Sequence, residues 1–301
     1  MFRHMLVPLD GSHLAEAALP AASSVAAKLG ASVTLIHLIE RRPPESIHSD
    51  RHLSDVDEAT AYLAGLATTA FPPGLRVGTH VHSAEVSDVA RSIVEHTDEL
   101  EPDLIVMCTH GRGGTRDLMF GTIAQQVIAL GTTPVLLVRP EVQERLLDFP
   151  RSRILVPLDL HPDHARCLPY AVGLSKPFGV PIHLFSVIPT METLAGYQAA
   201  TGRLLPSATR AMLDIDEDNS QDYLEQEARA LREDRVEVET SVARGDPASR
   251  IVEVGLQIGA GLIVMGVHGT LGSEAFWERS VPPKVSAHTR IPVLFVPIRD
   301  R

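Results

Sequence analysis

The chain has 301 residues, 44% hydrophobic and 22% charged, with a formal net charge of -11. That length suits two globular domains of ordinary size, and the acidic balance excludes general affinity for nucleic acid or anionic membrane, which needs basic surface. No apolar run approaches the roughly 20 residues of a membrane span, and two cysteines, Cys108 and Cys167, make no disulfide framework, so a cytoplasmic protein without a signal peptide or membrane insertion is expected.

The first elements alternate strand and helix. Strand "MLVPLD" leads to a helix whose apolar positions Leu14, Ala18, Ala21, Ala22, Val25 and Leu29 recur at helical spacing up to Gly30. Strand "SVTLIHL" follows, then a polar segment over 40–54. The next helix carries Val56, Ala59, Leu63, Leu66 and Ala70 on one face, with Ser54 and Asp57 read as a capping box. Strand "LRVGTHV", a helix over 86–96, strand "DLIVMC", the loop "HGRGGTRDLMFGTI", a helix after Gly121 and strand "PVLLV" complete the set. Five strands with four intervening helices imply a parallel, doubly wound α/β sheet. Such sheets bind ligands at the carboxyl ends of their strands, near the switch in strand order. "PLD" and "CTHGRGG" both lie at such ends.

The rest of the chain repeats this pattern. "HMLVPLDGS" at 4–12 recurs as "RILVPLDLH" at 153–161, and "VTLIHLIE" at 33–40 as "IHLFSVIP" at 182–189. "DLIVMCTHGRGG" at 103–114 answers "GLIVMGVHGTLG" at 261–272, and "TPVLLVRP" answers "IPVLFVPI". Four blocks in one order mark a duplicated domain, since the period far exceeds that of solenoid repeats. The expected domains are 1–140 and 152–301, joined by a linker at 141–151. The segments 40–54 and 189–220 follow the second strand of each copy and read as lids or as disordered insertions.

The glycine loop has two readings on residue chemistry alone, a phosphate cradle or a surface loop. Gly111, Gly113 and Gly114 permit close backbone approach and positive φ. The amides of Thr122, Ile123 and Ala124 open the following helix, where unpaired N–H groups attract phosphate. Arg112 adds a charge for a phosphate oxygen.

In these residues the chain resembles a tandem universal stress protein, with a Rossmann-like, adenine nucleotide α-hydrolase-like fold in each copy. Nucleotide-binding members carry Gly-x-x-Gly, nine residues, then Gly-Ser or Gly-Thr. Here the frame reads Cys108, Thr109, His110, Gly111, nine residues, then Gly121 and Thr122, with Cys108 replacing the first glycine. The resemblance implies an ATP-binding sensor or regulator of a stress response. Pro8, Leu9, Asp10 and the main chain of Leu38 would face the nucleoside. Gly111, Gly121, Thr122 and Ile123 would hold the phosphates, with His110 orienting the loop and Mg²⁺ accompanying the triphosphate. It also implies pairing of the final strands as a pseudo-dimer, a further homodimer and a regulatory protein partner.

The second copy offers Pro157, Asp159, Val187, Gly266, Gly269 and Ser280 at matching positions, but Arg279 replaces the third glycine. Pro282 and Pro283 then remove two amides from the helix start. The first copy is therefore expected to bind better.

No catalytic residue is assigned. Ser-Gly-Gly-x-Asp-Ser, His-x-Gly-His and Walker signatures are absent from the sequence, so slow ATP hydrolysis is the most to expect. A nucleotide-free interaction module is the alternative. His48 and His52 stand at i, i+4 in a segment read as a loop. His80 and His82 alternate on the less buried face of a strand, and no metal site is assigned to either pair.

Overall fold

A computed structural model describes residues 2–41, 46–47, 50–108, 122–140, 149–150, 152–194, 196–268 and 280–298. The chain divides into two compact units. The first takes Met1–Phe149, His268–Glu274 and Pro292–Arg301, and the second Pro150–Val267 and Ala275–Ile291.

In the first unit β1 (His4–Pro8), β2 (Ser32–Glu40), β5 (Val77–Val86), β6 (Leu104–Cys108) and β7 (Val135–Val138) are parallel. Their order is β5-β2-β1-β6-β7, so the direction of winding switches between β1 and β6. The central strands read as near-continuous apolar runs because helices cover both faces. Met5, Leu6, Val7, Leu35, Ile36, Ile105 and Val106 are fully buried. Among the described residues strand β5 pairs with β2 alone, and it carries a half-buried stretch at His80–His82 between exposed residues. The chain's last strand, β12 (Val293–Ile298), runs antiparallel to β7, with Val293 opposite Leu137 and Phe295 opposite Val135. The two apolar final strands thus pair with each other.

Helix α1 (Leu19–Leu29) is preceded by a 3₁₀ turn at Ala15–Ala18 and ends at Gly30, whose φ of 67° closes a left-handed cap. Helix α2 (Val56–Thr69) is capped by Asp55, which accepts from the Glu58 amide at 2.9 Å, and not by the Ser54 box expected from the sequence. Aspartate competes one residue later with equal chemistry, and the chain enters the helix there. Within the segment 40–54, β3 (Ser46–Ile47) and β4 (Asp50–Arg51) form a short antiparallel pair. Helix α3 (Val89–Leu100) is capped by Asp88, and α4 (Thr122–Leu130) follows the glycine loop.

The second unit orders its strands β10-β9-β8-β11, with β8 (Ile154–Pro157), β9 (Ile182–Ile188), β10 (Val238–Arg244) and β11 (Leu262–His268) all parallel. Helix α5 (Leu168–Phe178) repeats the Gly-capped design of α1 at Gly179. Most of 189–220 proves helical, in α6 (Gly196–Leu204) and the 28-residue α7 (Pro206–Glu233), which doubles the 14-residue α2. The acidic run 214–218 lies on α7, where Asp214 and Glu217 both bond Arg244 of β10. Helices α8 (Pro247–Gln257) and α9 (Val281–His288) complete the unit. Among the described residues no helix is long and apolar enough to cross a membrane.

Candidate functional site

The carboxyl ends of β1, β2 and β6 frame a cleft at the switch in strand order. Pro8, Leu9 and Asp10 come from β1 and its end, Leu38 from β2, Cys108 from β6 and Ile123 from the first turn of α4. The fold therefore brings these six expected residues together. Thr122 begins α4. His110, Gly111, Arg112 and Gly121 lie outside the described residues, as do His48 and Gly269.

Asp10 is held by the turn that follows β1. Its Oδ1 accepts from the Ser12 amide at 2.9 Å and from the Ser12 hydroxyl at 2.6 Å, while Ser12 Oγ accepts from the Ala15 amide at 3.2 Å. This turn leaves Oδ2 unused. Gly11 makes the turn possible, with φ at 90° and its missing Cβ position only 2.6 Å from Leu53 Cγ. At Leu38 the pairing of β2 with β5 shifts register, so that Leu38 faces His82 but Glu40 faces Val86. Such irregularities re-aim backbone beside binding sites.

Three ionisable residues of the cleft were not expected from the sequence. His37 is buried with its Nδ1 2.7 Å from Leu9 O and its Nε2 2.9 Å from Leu53 O, tying the end of β1 to the residues before α2. His52, read from the sequence as a loop residue, is 4% exposed with both ring nitrogens unbonded among the described residues, and its Nε2 is 3.7 Å from Glu40 Oε1. Glu40 is the third. Alternation along "VTLIHLIE" could have marked His37 as inward-facing; the burial of His52 is announced by no sequence period.

The second unit uses its matching positions differently. Asp159 Oδ1 accepts from the His161 amide at 3.0 Å and from His164 Nδ1 at 2.6 Å. Lost hydration raises the Asp159 carboxyl, but the bonds and charges of His164 and His161 together outweigh it and hold the group below the usual carboxylate range. Tyr223 of α7 feels the Asp159 charge, and burial first, then Glu227 and Asp159, push its phenol up to about 12. Pro157 ends β8, Val187 is half-buried in β9, and Gly266 lies in β11. Ser280 is the N-cap of α9 but makes no side-chain cap bond, and Pro282 and Pro283 stand in the first turn. Two of the first turn's amide donors are thereby lost.

Both cysteines are buried and neither is in a disulfide. Cys167, at the head of α5, is pushed up to about 12 by burial.

The model of the universal stress protein family matches the chain twice, over residues 1–139 and 150–297. The chain belongs to the universal stress protein family. Universal stress protein YxiE of Bacillus subtilis is 28% identical over 151 residues, which is 46% of this chain and 100% of that protein. Universal stress protein Sll1654 of Synechocystis is 31% identical over 139 residues, 46% of this chain and 86% of its own. Each thus corresponds to about half of this chain, as the internal duplication requires. The crystal structure of a universal stress protein from Archaeoglobus fulgidus shares the fold across both halves, with a TM-score of 0.70, 18% identity, and coverage of 99% of this chain and 97% of that one.

Proposed function

We propose that this universal stress protein binds an adenine nucleotide, ATP, in the cleft of its first unit and serves as a nucleotide-dependent sensor or regulator. The observation that carries this reading is the convergence of Asp10, the Leu38 register shift and the start of α4 on one cleft at the switch point. Asp10 and Glu40 offer acceptors to the nucleoside. The apolar walls at Leu9, Ile36, Leu38 and Met107 suit a purine. The α4 amides at Thr122 and Ile123, with the loop before them, suit the phosphates, and Mg²⁺ would neutralise the triphosphate while held mainly by phosphate and water.

The second unit is the weaker site in this reading. Asp159 is already engaged by His164, and α9 opens on prolines instead of amide donors. Residues 1–140 and 152–301 are then two nucleotide-binding-type domains of unequal competence joined by 141–151. Two buried cysteines outside any disulfide suit a reducing cytoplasm.

Calorimetric titration with ATP tests the reading on the wild type, Asp10→Ala and Gly121→Arg, the last of which copies Arg279. One site per chain, weakened in both variants, supports it. Two equal sites would overturn the asymmetry, and no binding to the wild type would leave the interaction module as the better reading.

A further inference from the structure

Away from the nucleotide cleft, β5 and α3 bring three imidazoles together. His80 and His82 stand two residues apart on one face of β5, and His96 comes from the third turn of α3. The His96 ring meets those of His80 and His82 edge-on, with centroids 5.1 Å and 4.8 Å apart. One ligand nitrogen from each of the three lies within 4.8 Å of the other two. The sequence shows His80 and His82 as a strand pair without a third donor. Only the packing of α3 on the sheet supplies His96.

The polarity of this cluster is unfinished. His96 Nδ1–H donates to the Ser92 carbonyl at 2.7 Å, which fixes the tautomer and leaves the lone pair on Nε2. Nε2 of His96 and Nε2 of His80 are both buried and have no hydrogen-bond partner among the described residues. A buried polar atom left unsatisfied is costly, so two such nitrogens within one cluster call for a common partner. Glu99, one turn beyond His96, holds a carboxylate oxygen 4.0 Å from His96 Nε2. The adjoining surface cleft is lined by Glu85, Asp88, Glu95 and Glu99 against Arg91, a field that favours a cation.

We propose that His80, His82 and His96, with Glu99 as fourth donor, form a four-coordinate site for a divalent transition ion, Zn²⁺ by its ligand chemistry. Three imidazoles and a carboxylate are borderline donors that suit zinc and not Mg²⁺ or Ca²⁺. At Zn–N distances of about 2.0 Å, tetrahedral ligand atoms stand about 3.3 Å apart, so small side-chain rotations close the site. The Ser92 carbonyl supplies the outer bond that metal-bound histidines ordinarily make. The ion would staple the edge strand β5 to α3. Helix α3 also contributes Val89 and Ile93 to the nucleotide cleft, and Leu38 lies opposite His82. Metal binding would therefore stiffen one wall of that cleft, although the site itself does not depend on nucleotide.

The test uses the untagged chain, stripped with chelator and titrated with Zn²⁺ alone by calorimetry, with metal content measured after gel filtration. The expected result is one Zn²⁺ per chain, retained through filtration. His82→Ala and His96→Gln should each weaken binding at least about tenfold, and Glu99→Gln by a smaller factor, while His13→Ala, at an exposed histidine, changes nothing. His82 is only half-buried, so circular dichroism of His82→Ala should match the wild type and keep the comparison valid even if His96→Gln folds poorly. Co²⁺ in place of Zn²⁺ should give the intense visible absorption of a tetrahedral ion. Failure of the wild type to retain zinc, or retention unchanged in His82→Ala, would overturn the proposal.

Discussion

Replacing Gly11 by alanine should damage the first unit more than the same change at Gly30. Both glycines have positive φ, 90° at Gly11 and 67° at Gly30, so alanine carries at each a backbone cost of about 1–2 kcal/mol. Around Gly30 nothing lies within 4 Å of an added Cβ. At Gly11 the added carbon would stand 2.6 Å from Leu53 Cγ and 2.8 Å from Leu53 Cδ1. Leu53 is buried, and its carbonyl is a partner of His37, so it has little freedom to retreat. Overpacking of this kind adds about 1–3 kcal/mol, for a total of about 2–5 kcal/mol at Gly11 against about 1–2 kcal/mol at Gly30. Urea unfolding followed by circular dichroism measures both. ATP titration of Gly11→Ala should also show weaker binding, because a displaced Leu53 disturbs the His37 wall. Equal stability losses in the two variants would refute the steric argument and leave only the backbone cost.

Other outcomes follow from single contacts. Asp246 caps α8 by accepting from the Ser249 amide at 2.9 Å and hydroxyl at 2.7 Å, so Asp246→Ala should cost about 1 kcal/mol in urea unfolding, and Ser249→Ala less. His183 is held below its ordinary 6.5, first by burial and also by the Arg153 charge, against Glu239. The folded state therefore binds fewer protons than the unfolded chain, so the His183 contribution is intact above about pH 6.5 and declines as pH falls below it. The slope of unfolding free energy against pH should flatten in His183→Gln. Cys167, buried with its thiol pushed up to about 12, should resist a thiol reagent at neutral pH and react only on unfolding. Mass mapping of the labelled cysteine reads that outcome.

Much of this architecture is legible in the residues themselves. Apolar runs such as "LIVMC" can hide only between two layers of helices, so alternating strand and helix signals lead directly to a parallel sheet. The matching "VPLD" blocks reveal the duplication without any coordinates. Helix ends written in strong local chemistry are equally plain, as at Gly30 and Gly179. Where two local signals compete, the reading slips by a residue, as with Ser54 and Asp55, because both side chains can satisfy the same amide. The long α7 was hidden for another reason. Its polar, acidic face resembles an unstructured insertion until Arg244 on a distant strand pairs with Asp214 and Glu217.

The candidate sites divide along the same line. Asp10, Cys108 and Ile123 occupy strand ends and a helix start, positions that local pattern identifies, and the strand order then draws them into one cleft. His37 and His52 enter that cleft through burial, which depends on contacts with residues far away in the chain. His96 joins His80 and His82 for the same reason. Periodicity fixes the face of its own element on which a side chain lies, but it carries no information about which other element will pack there. Tertiary packing alone sets that meeting, and with it the chemistry open to these histidines.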